Sequence, residues 1–257
     1  MQLKSKWEAR IQRAAELISV YPFCAEVLRF YAQVSLLQEK LYLEFQQRPL
    51  GDELNAAALA PKFAIFTRSI RQIAPAALAE AADQVMQEDP ASQSALLGSF
   101  WLAPSAILDG EHCLAWLFLQ PAAECLYAWR GARAFDESST TCPRCGSRPI
   151  VGVLRPEGDG AKKSLVCMLC AHEWCFRRIG CPACGETSEP QIAIYSAPEI
   201  PHVRVDVCDT CRTYLKCVDF TKTGLADPIV DELATMPLDL WARENGYQKL
   251  QMNLAGI

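Results

Sequence analysis

Four CxxC pairs lie between Cys142 and Cys211: Cys142/Cys145 (CPRC), Cys167/Cys170 (CMLC), Cys181/Cys184 (CPAC) and Cys208/Cys211 (CDTC). Two residues between cysteines let both thiolates of one tight turn point at a single ion, and two such turns complete a tetrahedral shell. The gaps choose the partners: 21 residues separate Cys145 from Cys167 and 23 separate Cys184 from Cys208, whereas only 10 lie between Cys170 and Cys181. Sequential pairing follows, giving two four-thiolate metal sites. The prolines in CPRC and CPAC each fix a backbone angle, and Gly146 and Gly185 behind them permit the positive φ that aims amide N–H groups at sulfur. Four thiolates leave net negative charge around a di- or trivalent ion. Arg144, Arg177 and Arg178 are candidates to balance it, with a plain solvated role as the competing reading.

Between the paired turns the sequence spells hairpins. IVGVL, the turn PEGDG and KSLVC join the first two knuckles; IAIY, a loop through Pro198 and Pro201, and VRVDVC join the second two. The repeated plan reads as a duplicated zinc-ribbon or rubredoxin-like module, with Trp174 and Tyr214 close behind the last ligands of each copy. Cys175 and Cys217 follow the second and fourth knuckles and are read as buried strand residues rather than spare ligands or a reactive pair.

The chain before the knuckles is helical in pattern. Trp7, Ile11, Ala14, Leu17 and Ile18 recur at steps of three and four from Lys4 to about Val20. After Pro22 the pattern restarts and continues from Phe23 to Phe45, closing at Pro49 and Gly51. Proline-punctuated shorter helices follow, and EHCLAWLFLQPAAECLYAWRG is expected as two helices hinged at Pro121, ending at Gly131. Cys24, Cys113 and Cys125 stand alone and read as core filler; His112 beside Cys113 is no ligand pair, because adjacent helical residues point apart. After Gly224 the pattern is helical again. Asp227 and Pro228 open one short helix and Pro237 breaks or restarts it, so two are expected.

The fold class is therefore α+β: an N-terminal all-helical domain, two small rubredoxin-like or zinc-ribbon hairpin modules and a short helical C-terminal tail. The expected divisions are 1–138, 139–178, 179–222 and 223–257, the first boundary lying where DESSTT replaces alanine-rich sequence near Asp136.

Composition narrows the function classes. Thirteen cysteines would fit a secreted disulfide scaffold, but the opening MQLKSKWEARIQRAAEL is charged and amphipathic without an apolar signal core, so a cytoplasmic setting is expected. The apolar run Cys113–Leu119 is far shorter than a membrane span. Net charge is −5, and Ser139–Lys222 holds 11 Lys/Arg against 9 Asp/Glu, too little for phosphate-driven nucleic-acid binding. Neither nucleic acid nor membrane insertion is expected.

A saturated four-thiolate shell has no open position for water or substrate, so metal-assisted hydrolysis is not expected. P-loop, GxSxG, HExxH and GxGxxG motifs are absent, and the three histidines, His112, His172 and His202, are scattered. The chain is read as a non-enzyme. Thiolates suit zinc and iron alike, and the residues leave that choice open.

The quoted segments CPRCGSRPIVGVL, CMLCAHEWCFRRIGCPACG, CDTCRTYLKCVD and ADPIVDELATMPLDLWARENGY resemble the formate dehydrogenase accessory protein family of FdhE type. The resemblance covers about the last 140 residues; the first hundred match mainly in helical character. It implies a cytoplasmic factor that binds the catalytic subunit of a formate dehydrogenase and supports its maturation. It also implies two metal ions, iron favoured and zinc possible, on Cys142, Cys145, Cys167, Cys170, Cys181, Cys184, Cys208 and Cys211. Three departures stand out: Arg212 after the last knuckle where glycine is frequent, Pro237 in the tail, and a shorter N-terminal region. Two other readings compete: a zinc-ribbon nucleic-acid binder, and a redox-active iron or thiol protein acting on the client's metal centre. A docking surface bounded by ribbons and tail, apolar in character, is expected.

Overall fold

The computed structural model describes residues 6–48, 50–51, 53–128 and 137–256. Helices come first: α1 (Lys6–Val20), α2 (Ala25–Gln47), α3 (Ala56–Arg71), α4 (Ala76–Gln87), α5 (Pro90–Leu102) and α6 (Gly110–Ala128). Local chemistry sets their starts. Asn55 accepts the amide of Ala58 at the head of α3, and Asp89 accepts those of Ala91 and Ser92 at α5, where Pro90 occupies the first turn. Both caps answer helix amides that have no partner within the helix.

At the centre lies α6, buried over the whole run Cys113–Leu119 and packed against α2, α4 and α5. It is one helix, not two hinged at Pro121. The expected break fails for an identifiable reason. Proline has no N–H to offer the carbonyl of Leu117, one turn earlier, and the buried Gln38 of α2 supplies that donor instead, Nε2 to O at 2.7 Å. The closing residue Gly131, the boundary near Asp136, the start at Lys4 and the stop at Pro49 lie outside the described residues.

The strands are β1 (Pro149–Glu157), β2 (Gly160–Cys167), β3 (Glu173–Cys175), β4 (Ile192–Ala197), β5 (Ile200–Cys208), β6 (Thr213–Asp219) and β7 (Gln248–Lys249). Each expected hairpin is present. The two ribbons share a single sheet of order β3-β2-β1-β6-β5-β4, in which β1 and β6 run parallel through Gly152–Cys217, Val153–Val218 and Leu154–Asp219. β7 adds to β6 beyond the end of β1. Gly152 makes the junction possible: a Cβ there would collide with Cys217 Sγ. The ladders also align Tyr214 with Glu173 and Leu215 with Trp174, so Trp174 and Tyr214 are not equivalent positions of the repeat.

The tail forms α7 (Pro228–Ala234), capped by Asp227, and α8 (Met236–Glu244), with Pro237 in its first turn. It is part of the core rather than an appendage. Lys216 of β6 is fully buried and meets Asp239 Oδ2 of α8 at 2.6 Å and Glu232 Oε1 of α7 at 3.1 Å; Lys249 Nζ meets Asp239 Oδ1 at 2.8 Å. A charge buried this deeply is tolerated only where it is paired. Asp231 of α7 ties the tail to both other regions, binding Arg13 of α1 at 2.6 Å and His202 of β5 at 2.9 Å. Among the described residues, no helix is long and apolar enough to cross a membrane.

Candidate metal centres

Each knuckle is held by its own backbone. In the first, the Cys142 amide bonds to Ser147 O and the Gly146 amide to Cys142 O, both at 2.8 Å; in the third, the Cys181 amide bonds to Glu186 O and the Gly185 amide to Cys181 O, both at 2.9 Å. Gly146 and Gly185 have φ of 78° and 80°, the left-handed backbone their positions require. The same place in the other two knuckles falls to Ala171 at 50° and Arg212 at 56°. Arg212 is held there by Nη1 to Asp209 Oδ1 at 2.7 Å, by Nη2 to Asn245 O at 2.6 Å, and by stacking 3.9 Å over the Tyr247 ring. The departure from glycine is therefore compensated by side-chain contacts with the tail.

The sulfurs come together as the spacing requires. Cys142, Cys145, Cys167 and Cys170 form one cluster and Cys181, Cys184, Cys208 and Cys211 another, the four sulfurs of each lying within 4.8 Å of one another. Across the paired turns, Cys142–Cys170 and Cys145–Cys167 stand 3.6 and 3.3 Å apart, Cys181–Cys211 and Cys184–Cys208 3.6 and 3.7 Å. A disulfide needs about 2.05 Å, whereas four thiolates at about 2.3 Å from one ion lie roughly 3.8 Å apart. The spacing is that of a shared cation. Amides also point at sulfur: Leu169 and Cys170 toward Cys167 Sγ at 3.3 and 3.4 Å, Ala183 toward Cys181 Sγ at 3.3 Å.

Proton affinity is uneven within each cluster. Thiol hydrogen bonds from Cys142 and Cys167 draw the Cys145 thiol well down, while burial pushes Cys167 well up. At the second cluster burial opposes ionisation of Cys211, yet hydrogen bonds from Thr213 and Cys184 outweigh it and bring the group to about 7. Four thiolates this close ionise together only where a cation offsets their mutual repulsion. The donor set fits zinc or iron, with no preference between them.

The two clusters differ in setting. Three of the four cysteines in the first are buried, and its second knuckle sits under α6: Trp116 Nε1 and Gln120 Nε2 both donate to Met168 O, at 2.9 and 3.0 Å. Cys184 of the second is exposed. Between them opens a cleft of about 960 Å³, reached by Thr141 and Arg148 from the first ribbon, Pro182 and Ala183 from the second, and Arg243 and Lys249 from the tail. Its walls mix polar and apolar side chains, and Arg148 and Arg243 are both exposed.

The remaining candidates fall elsewhere. Arg144 donates to Tyr127 O at 2.8 Å, Arg177 lies 6.0 Å from the Phe176 ring and Arg178 lines a separate hollow; none donates to a cysteine sulfur among the described residues. Cys217 is buried in β6, its thiol donating to Asp206 Oδ2 at 3.3 Å and pushed up to about 12 by burial and that carboxylate. Cys175 is half-buried in β3, and neither cysteine joins a metal cluster. Cys24, Cys113 and Cys125 belong to the helical region and all three are buried in its core, as core filler. His112 bonds to Asp109 at 2.8 Å rather than sharing an ion with Cys113. The buried Lys216 network was not anticipated, although a lysine inside the apolar strand YLKCV was its mark in the sequence.

Two family models match in succession: "FdhE, central domain" over residues 141–178 and "FdhE, C-terminal domain" over 179–255. Residues 141–255 match the FdhE family. An FdhE homolog of Aquifex aeolicus is 32% identical over 144 residues, 54% of this chain and 50% of that protein. One from Pseudomonas aeruginosa is 32% identical over 196 residues, 70% of this chain and 61% of its own. The aligned region thus spans about half to three-fifths of these FdhE relatives' length. The crystal structure of the FdhE protein from Pseudomonas aeruginosa superposes with a TM-score of 0.70 at 25% identity, covering 96% of this chain and 94% of that one. The FdhE likeness therefore includes the helical region that the family models do not reach.

Proposed function

We propose that this chain is a cytoplasmic assembly factor that binds the catalytic subunit of a formate dehydrogenase and supports its maturation, without a catalysed reaction of its own. Each four-cysteine cluster holds one ion in this reading: the first on Cys142, Cys145, Cys167 and Cys170, the second on Cys181, Cys184, Cys208 and Cys211. Iron is preferred on family resemblance. Bound iron would supply one-electron chemistry and bound zinc a structural cross-link. The protein's own groups set the environment: knuckle amides hold the sulfurs, and α6 covers the first site. The working units are 1–138, 139–178, 179–222 and 223–257.

The observation that carries the proposal is the placement of the roughly 960 Å³ cleft, with a knuckle of each cluster on its rim and the tail as its far wall. Closed sites cannot bind a substrate at the ion, but they can hold the walls of a docking surface rigid. Tagged chain expressed at native level and purified without oxygen should retain the catalytic subunit. Its absence under those conditions would sink the proposal. Metal analysis with a visible spectrum identifies the ion, since thiolate-to-iron bands colour the protein and zinc leaves it colourless.

A further inference from the structure

Both ribbons follow one plan: knuckle, strand, strand, knuckle, strand. Their registers can be matched by counting back from Cys167 and Cys208. Leu165 and Ser164 pair with Gly152 and Val153; Asp206 and Val205 pair with Ile194 and Tyr195. One step further, Lys163 pairs with Leu154 and Arg204 with Ser196. Gly152, Val153 and Leu154 of β1 thus correspond to Ile194, Tyr195 and Ser196 of β4.

In the first ribbon these three residues receive the strand of another module, for β6 lies parallel along them. All three are buried. In the second ribbon the equivalent three are exposed, Ile194 at 50% and Tyr195 at 43%, and β4 is the last strand of the sheet. The same lateral position is filled in one copy and open in the other.

Sheet edges that stay unpaired are ordinarily shielded by charge, proline, brevity or cover. The opposite edge has such shielding. β3 is three residues long, its Glu173 is paired with Arg155, and residues ahead of the first knuckle lie against it, with Arg177 N–H donating to Glu137 O and Trp174 Nε1 to Ser139 O. Among the described residues β4 has only a register shift at its end, between Ser196 and Ala197: Ile192–Ala197 contains neither charge nor proline, and Tyr195 packs on Trp241 with ring centroids 4.6 Å apart, making an apolar ledge beside the open edge.

We infer that the outer edge of β4 accepts a strand of the bound client, laid parallel along Ile194–Ser196 as β6 is laid along β1. The occupant is an extended, uncharged segment with apolar side chains at alternate positions, held by main-chain hydrogen bonds and seated against Tyr195 and Trp241. A second copy offers the same parallel match only through β3, which is already covered; two β4 edges would pair antiparallel instead, and a dimer of the free chain that the β4 variants abolish overturns the inference. This inference rests on the client reading above.

The test uses the full tagged chain with the purified catalytic subunit of a formate dehydrogenase as probe. Ile194→Lys and Ser196→Lys place charge at exposed edge positions, and unchanged metal content and melting temperature verify that both variants fold. Ile65→Lys, at a site 64% exposed on α3, is the control. Wild type and control should bind alike, the two β4 variants should lose at least about tenfold in affinity, and amides of 192–197 should exchange more slowly in the complex. Undiminished binding by the β4 variants, or unchanged exchange, overturns the added strand and leaves the client reading standing. No binding by wild type overturns both.

Discussion

At Gly152 one methyl group separates a continuous sheet from two ribbons. A Cβ there would overlap Cys217 Sγ and lie 3.4 Å from Cys217 Cβ and 3.6 Å from Leu215 Cδ2. Gly152→Ala should cost about 1–3 kcal/mol, the usual range for overpacking, read by urea denaturation. In a Cys217→Ala background the clash is gone, so the double variant should be more stable than the sum of the singles implies; strict additivity would refute the contact. A second residue-scale expectation concerns the two knuckle positions that take positive φ without glycine. Ala171→Gly relieves roughly 1–2 kcal/mol of backbone strain against roughly 0.4–1 kcal/mol of added unfolded-state freedom, so it should be neutral to slightly stabilising. Arg212→Gly gains the same relief but forfeits the Asp209, Asn245 and Tyr247 contacts and should destabilise. Equal melting temperatures for the two variants would contradict this account. Gly146 and Gly185 were legible because glycine announces the need for positive φ. The same need at Ala171 is imposed by the knuckle's hydrogen bonds, and only alignment of the four turns would have revealed it.

Among the elements, α6 carries the clearest disagreement between pattern and structure. Proline in a helix interior removes a hydrogen bond, and from sequence Pro121 reads as a hinge. The donor that replaces it, Gln38, sits on α2 and no local pattern connects the two. Gln38→Leu should leave Leu117 O buried without a partner, at about 1–3 kcal/mol. In a Pro121→Ala background the helix recovers its own N–H donor, and the same Gln38→Leu change should cost less. Urea denaturation of the four proteins gives the comparison, and an equal cost in both backgrounds would show that the glutamine stabilises by some other route. The tail helices were legible from Asp227, Pro228 and Pro237, which act within one turn. Their burial was not, since it depends on Lys216 meeting carboxylates from both helices.

At the scale of the molecule, the metal clusters were legible because four short spacings encode them, whereas the parallel pairing of β1 with β6 has Gly152 as its local mark, and a strand glycine signals a close approach without naming the strand that makes it. That pairing fixes the two clusters in one rigid frame but leaves them in different surroundings. The first lies beneath α6, with Trp116 and Gln120 closing over its second knuckle; the second reaches solvent at Cys184. Release of an ion requires the knuckles to open, and opening is costlier where packing must be broken first. Excess chelator added to the two-ion protein should therefore remove metal in two phases, the second cluster emptying roughly tenfold faster or more. The paired variants Cys142→Ser with Cys145→Ser, and Cys181→Ser with Cys184→Ser, should each retain one ion and so assign the phases. The first pair should show only the fast phase and the second only the slow one. A single common rate, or faster loss from the cluster under α6, would mean that the helical layer does not govern access to the metal.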